Sequence, residues 1–127
     1  MSDYCYTLLF SKCAGLISAP ELPATTLTQY CYSYMFDGCT GLTTIPALPA
    51  TTLANYCYYY MFNNCTNIKI STTQTSEYNH EYRIPTNGTG TTANQALYFM
   101  FSSTGGTFTG APEINTTYYT SNEIIPA

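Results

Sequence analysis

Residues 30 to 42 read YCYSYMFDGCTGL, and residues 56 to 68 read YCYYYMFNNCTNI. Tyr56 follows Tyr30 by 26 residues, and the same step leads back to an earlier copy. YCYTLLFSKCAGLISAP runs from Tyr4 to Pro20, YCYSYMFDGCTGLTTIP from Tyr30 to Pro46, and YCYYYMFNNCTNIKIST opens at Tyr56. The linkers repeat as well, as ELPATTLTQ and then ALPATTLAN. A degraded copy, QALYFMFSSTGGTFTGAP, spans Gln95 to Pro112 with both cysteine positions replaced, and the final NEIIPA matches the TTIPA that ends a unit. A period of this length marks units that cannot bury their apolar faces alone and share a core by stacking.

Within a unit the stretch TTLANYCYYYMFNN predicts a helix. Thr51 or Thr52 is placed to cap it, and Leu53, Cys57, Tyr60 and Met61 fall on one helical face. Asp37-Gly38 and Asn63-Asn64 are its expected stops, because Gly and Asn accept left-handed backbone. Gly15, Gly41 and Asn67 then predict a corner. The stretches LISA, LTTI and IKIS predict short strands, each leaving at or near a proline, which cannot donate to a ladder. The expectation is an α/β solenoid, a single domain of about 26-residue coils, each a short helix plus a short parallel strand. Regular coils would cover residues 1–70, an irregular coil 71–94, the degraded repeat 95–112 and a closing coil 113–127, with five or six parallel strands in all. Equivalent residues should form ladders: Leu27 with Leu53; Cys5, Cys31 and Cys57; Met35 and Met61; Phe10, Phe36 and Phe62; Cys13, Cys39 and Cys65; Leu16, Leu42 and Ile68.

The 127 residues are 45% hydrophobic, enough for a packed core, yet 8% are charged where about a quarter is usual. With 14 Tyr and 6 Phe the chain does not read as disordered. Its surface must be covered by neutral polar groups. The net charge is −4 and the cations are Lys12, Lys69 and Arg83, too few and too scattered to replace phosphate counterions. Nucleic acid and anionic membrane surfaces are excluded as partners on that ground. No apolar run is long enough to insert in a bilayer. The opening MSDYCYTLLF lacks the basic start of a signal peptide, so the protein leaves its cell by lysis or another route, or is a segment of a larger one.

Six cysteines, spaced C-x₇-C with one distant histidine, do not have zinc-site spacing, and no metal or cofactor is expected. Two readings stay open: disulfides, including Cys31 with Cys39 inside one coil, and buried free thiols. His80 stands between Glu77 and Glu81, but no pocket or nucleophile can be read beside it, and a solvated loop is expected. Glu21, Glu113 and Glu123 read as exposed coil-edge charges. Sequons at Asn64, Asn87 and Asn115 carry no weight in so Asn- and Thr-rich a chain. The tyrosines are the informative residues. On a helix with Cys57 inward, Tyr59 faces outward, with Tyr58 and Tyr32 on its flank. Tyrosine offers stiff contact area with a polar tip, so these three are candidate binding residues, although stacking between coils competes as an explanation. On the strand face Thr43 and Lys69 would align outward beside Ile17.

The phrase F-x-x-C-x-x-L, at Phe10-Cys13-Leu16 and Phe36-Cys39-Leu42, and with Ile in place of Leu at Phe62-Cys65-Ile68, resembles the BspA-like leucine-rich repeat family of bacterial surface proteins. Similar repeats, often with LPATTLA, occur in gut-bacterial proteins and in tail or fibre proteins of their phages. The likeness covers roughly the first 70 residues. It implies a leucine-rich-repeat-like fold, no catalytic residues, and surface attachment from an extracellular, cell-surface or virion location. The expected function is therefore a non-enzymatic recognition or adhesion module binding a glycan or protein on a cell surface. The alternative is a structural spacer or assembly unit of a surface or phage fibre, with self-association through an exposed first strand.

Overall fold

The computed structural model describes residues 3, 4 and 6 to 126, and the ladder position expected at Cys5 lies outside them. Among the described residues there is no helix. The phrase that reads as helical is instead a chain of overlapping turns. In the second copy Cys31, Ser33, Met35, Asp37 and Cys39 each donate a backbone N–H to the carbonyl three residues back. The intervening N–H groups, on Tyr30, Tyr32, Tyr34, Phe36 and Gly38, point to the next copy and meet the carbonyls of Asn55, Cys57, Tyr59, Met61 and Asn63. Every second N–H thus closes a turn and every other one joins two copies, so the donors of the phrase are accounted for without a helix.

This geometry needs left-handed backbone at regular intervals. Positive φ falls on every fourth residue: Tyr4, Leu8 and Lys12; Tyr30, Tyr34 and Gly38; Tyr56, Tyr60 and Asn64; Gln95, Phe99 and Ser103. These are third residues of alternate turns, the position at which a type II turn requires positive φ. Each non-glycine residue held there costs about 1–2 kcal/mol. What offsets the cost is lateral: in the first three copies each such residue donates a hydrogen bond to the next copy, and the tyrosines among them stack ring on ring. The composition also favours this outcome, because Tyr, Phe, Cys, Thr and Asn are weak helix formers, and the phrase has almost no Ala, Glu or Lys to support a helix.

The strands are few and short. β1 (Thr44–Pro46) pairs in parallel with β5 (Glu123–Ile125), aligning Ile45 with Ile124. The second sheet is antiparallel, with β4 (Thr117–Thr120) between β2 (Ile70–Ser71) and β3 (His80–Arg83). Tyr82 there lies opposite Tyr118, and Ile70 opposite Thr120. In the linkers, where a threonine cap was expected, Thr26, Thr52 and Thr91 bridge side by side in parallel.

The expected α/β solenoid is therefore corrected. The fold is small, mainly coil and β-type, with two small open sheets. Among the described residues the helices are absent, three of the five strands form an antiparallel sheet, and no strand lies in the first copy. Gly41 is not left-handed either; a Cβ at this glycine would stand 2.3 Å from the Ala14 carbonyl oxygen, so close approach of two copies excludes a side chain. The side-chain columns do exist. Phe10, Phe36, Phe62 and Phe101 stack ring on ring at 5.7, 5.4 and 5.4 Å. Met35, Met61 and Met100 are buried beside them, with Leu42 and Ile68.

Candidate functional site

The four-residue rhythm of positive φ sets which side chains face out. In the second copy the residues at this position, Tyr30 and Tyr34, are half-buried, while Cys31, Tyr32, Met35 and Phe36 are interior. Repeated through the stack, the outward positions build a terrace of rings. Tyr4, Tyr30 and Tyr56 stack at 4.8 and 4.5 Å. Tyr34 and Tyr60 stack at 5.0 Å in the next column.

Tyr59 joins the two columns. Its ring meets Tyr34, Tyr56 and Tyr60 edge-on at 5.7, 5.3 and 4.6 Å and lies flat against Tyr98 at 5.7 Å. Its equivalents in the first two copies are the small residues Thr7 and Ser33, so the terrace broadens toward the third and fourth copies. Phe99 continues the second column, 5.1 Å from Tyr60.

Of the residues that the sequence singles out, Tyr59 belongs to this terrace. Tyr32 and Tyr58 do not: they are 2% and 1% exposed and stack on each other at 6.1 Å inside the molecule, which leaves them no surface for a ligand. A helical phase turns Tyr58 outward and Tyr60 inward, whereas the turn chain does the reverse. Thr43 is exposed and bonds the Ile17 carbonyl through both its N–H and its hydroxyl. Lys69 is half-buried. These two meet at a shared partner, Asn122, which donates to the carbonyls of Thr43 and Asn67 and accepts the Lys69 N–H at 2.8 Å. Tyr4, Tyr30, Tyr34, Tyr56, Tyr60 and Tyr98 were missed, though the pairs Tyr30/Tyr34 and Tyr56/Tyr60 carry a four-residue signal in the sequence.

The terrace is chemically neutral. Burial, followed by repulsion from neighbouring phenols, raises the hydroxyls of Tyr30, Tyr34 and Tyr59 above their ordinary value. They therefore stay protonated, able both to donate and to accept hydrogen bonds. Beside them Asn63 Nδ2 donates to Asp37 Oδ1 at 2.9 Å. Such a surface can stack on flat apolar faces and bond to hydroxyl or amide groups.

The other candidate groups are spent in packing or lie apart. Cys13, Cys39, Cys57 and Cys65 are free thiols, and Cys31, Cys39, Cys57 and Cys65 are buried. Cys39 Sγ donates to the Phe10 carbonyl and Cys65 Sγ to the Phe36 carbonyl, each at 2.9 Å and each across to the preceding copy. Burial pushes the Cys57 and Cys65 thiols up to about 12, away from nucleophilic use. His80 is exposed, but on β3 rather than on a loop. Among the described residues no three His, Cys, Asp or Glu side chains converge as a metal site. No helix there is long and apolar enough to cross a membrane. Comparison with known proteins found no matching family model, no matching curated protein and no matching solved structure.

Proposed function

We propose that this chain is a non-enzymatic recognition module that binds a glycan or protein on a cell surface through its tyrosine terrace. The observation that carries this reading is the joined pair of half-exposed ring columns around Tyr59. Flat, stiff, neutral rings with hydroxyl tips suit a partner recognised by stacking and hydrogen bonding rather than by charge. The resemblance of the repeat phrase to bacterial surface proteins and phage fibres supports an extracellular or virion setting.

The test is binding of the labelled chain to a glycan array and to whole gut bacteria, beside a Tyr34→Ser/Tyr60→Ser/Tyr98→Ser variant. Three ring contacts at about 0.5–1.5 kcal/mol each predict a loss of roughly tenfold or more in the variant. Because the Tyr30, Tyr34 and Tyr59 hydroxyls titrate above their ordinary 10.0, the contribution of these three rings should stay level between about pH 6 and about pH 9. Absence of binding by the unaltered chain, or equal binding by the variant, would sink the reading.

A further inference from the structure

Glycine follows an Asp or Asn at two places in the chain, Asp37-Gly38 and Asn87-Gly88, and the fold treats the two pairs in opposite ways. A glycine amide nitrogen that can swing onto the preceding side-chain carbonyl closes a five-membered imide, because no Cβ hinders the approach. Backbone shape does not separate the pairs, since φ is 71° at Gly38 and 78° at Gly88. Hydrogen bonding does. The Gly38 N–H is held by the Asn63 carbonyl at 2.8 Å, and Asp37 Oδ1 accepts from Asn63 Nδ2 at 2.9 Å. Nucleophile and electrophile are thus both tied to the next copy. Asn87 and Gly88 are exposed, and neither makes a hydrogen bond to the described residues. A Cβ on Gly88 would find no atom within 4 Å. The free stretch is short and anchored on both sides. The Thr86 N–H donates to the Leu48 carbonyl at 3.1 Å, and the Gly90 N–H donates to Asn115 Oδ1 at 2.7 Å.

We propose that Asn87 is a self-modification site, converted from amide to carboxylate by its neighbour Gly88 without an enzyme. The Gly88 nitrogen gives up its proton and bonds to Asn87 Cγ, the Cγ–Nδ2 bond breaks, and ammonia leaves with a proton in place of the one lost. Water then opens the imide at one of its two carbonyls. The products are Asp at position 87 and its iso form, in which the main chain runs through the side-chain carbon. No electrons are exchanged, and the one co-reactant is water. Each product carries a carboxylate that is ionised at neutral pH, so the formal net charge becomes one unit more negative than −4. In the iso form the main chain gains one carbon between the anchored amides of Thr86 and Gly90, and the exposed residues between them take it up. Asp37 is protected, because its imide would require breaking both bonds to Asn63.

The experiment holds the intact chain near neutral pH, folded and in urea, and follows it by peptide-mapping mass spectrometry. In the folded chain the mass gain of an amide-to-carboxylate exchange is expected at Asn87, with two products that separate by chromatography. The peptide containing Asp37 should stay a single species there and gain an iso form only in urea. Asn87→Gln, whose longer side chain would have to close a six-membered ring, should keep its mass over the same period, with its fold checked by circular dichroism. An Asn87 that keeps its amide in the folded chain overturns the proposal. Isomerisation of Asp37 as fast in the folded chain as in urea overturns it too, because hydrogen bonding would then not be what separates the two pairs.

Discussion

Gly38 and Lys12 occupy the same place in adjacent copies, both with positive φ, at 71° and 61°. A Cβ at Gly38 would meet Lys12 Cγ at an ordinary 3.4 Å, so Gly38→Ala is opposed by backbone strain rather than by crowding. It should cost about 1–2 kcal/mol in denaturant unfolding. Lys12→Gly relieves the same strain but frees the unfolded chain, and should fall between neutral and about 1 kcal/mol stabilising. Phe36 is fully buried between Phe10 and Phe62, and Phe36→Ala should cost about 3–5 kcal/mol, read the same way. The buried thiols have a pH signature. Cys57 and Cys65 ionise near about 12 in the folded chain against an ordinary 9.0, so the unfolded state loses its protons first. Their contribution is complete below about pH 9 and is lost as pH rises toward about 12, at about 1.4 kcal/mol per pH unit for each thiol. Cys57→Ala, matching Ala96 of the fourth copy, should flatten that fall in an alkaline unfolding series.

At the level of elements, the turn chain explains why the phrase reads as a helix. Its outward positions come every four residues, close to the 3.6 of a helix, and over the nine residues from Tyr30 to Gly38 the two rhythms separate by less than one position. Apolar periodicity cannot distinguish them at that length. The two readings differ in phase, and that difference hid the terrace by exchanging Tyr58 with Tyr60. The closing elements are tied by Asn122 from outside the repeats. Asn122→Ala would leave the Lys69 N–H and the carbonyls of Thr43 and Asn67 without this partner, at about 1–3 kcal/mol per group left buried and unpaired. Native-state hydrogen exchange should then show faster exchange at the Lys69 amide, ahead of the ring ladder. Nothing in the repeat pattern marks Asn122, because these three partners lie 53 to 79 residues away.

For the molecule as a whole, the decisive property is that its cohesion runs along the stack. The hydrogen bonds between copies, the phenylalanine ladder and the threonine bridges all join residues one repeat apart. Far-UV circular dichroism of the folded chain should accordingly lack a helical signature, and a strong one would contradict the turn chain.

By itself the sequence determined the repeat, its 26-residue period, the identity of the stacked columns and the neutral, tyrosine-rich surface. Each of these follows from residue type at fixed spacing, and stacking of equivalent positions preserves that spacing in space. Tertiary structure alone decided the backbone that carries the columns. A helix keeps its N–H bonds within one segment, whereas here half of them are satisfied by a neighbour 25 residues or more away, as Tyr6 is by Cys31 and Tyr58 by Ala96. Local pattern holds no record of such a partner. The choice between turn and helix, and with it the side on which each tyrosine lies, exists only once the copies are side by side.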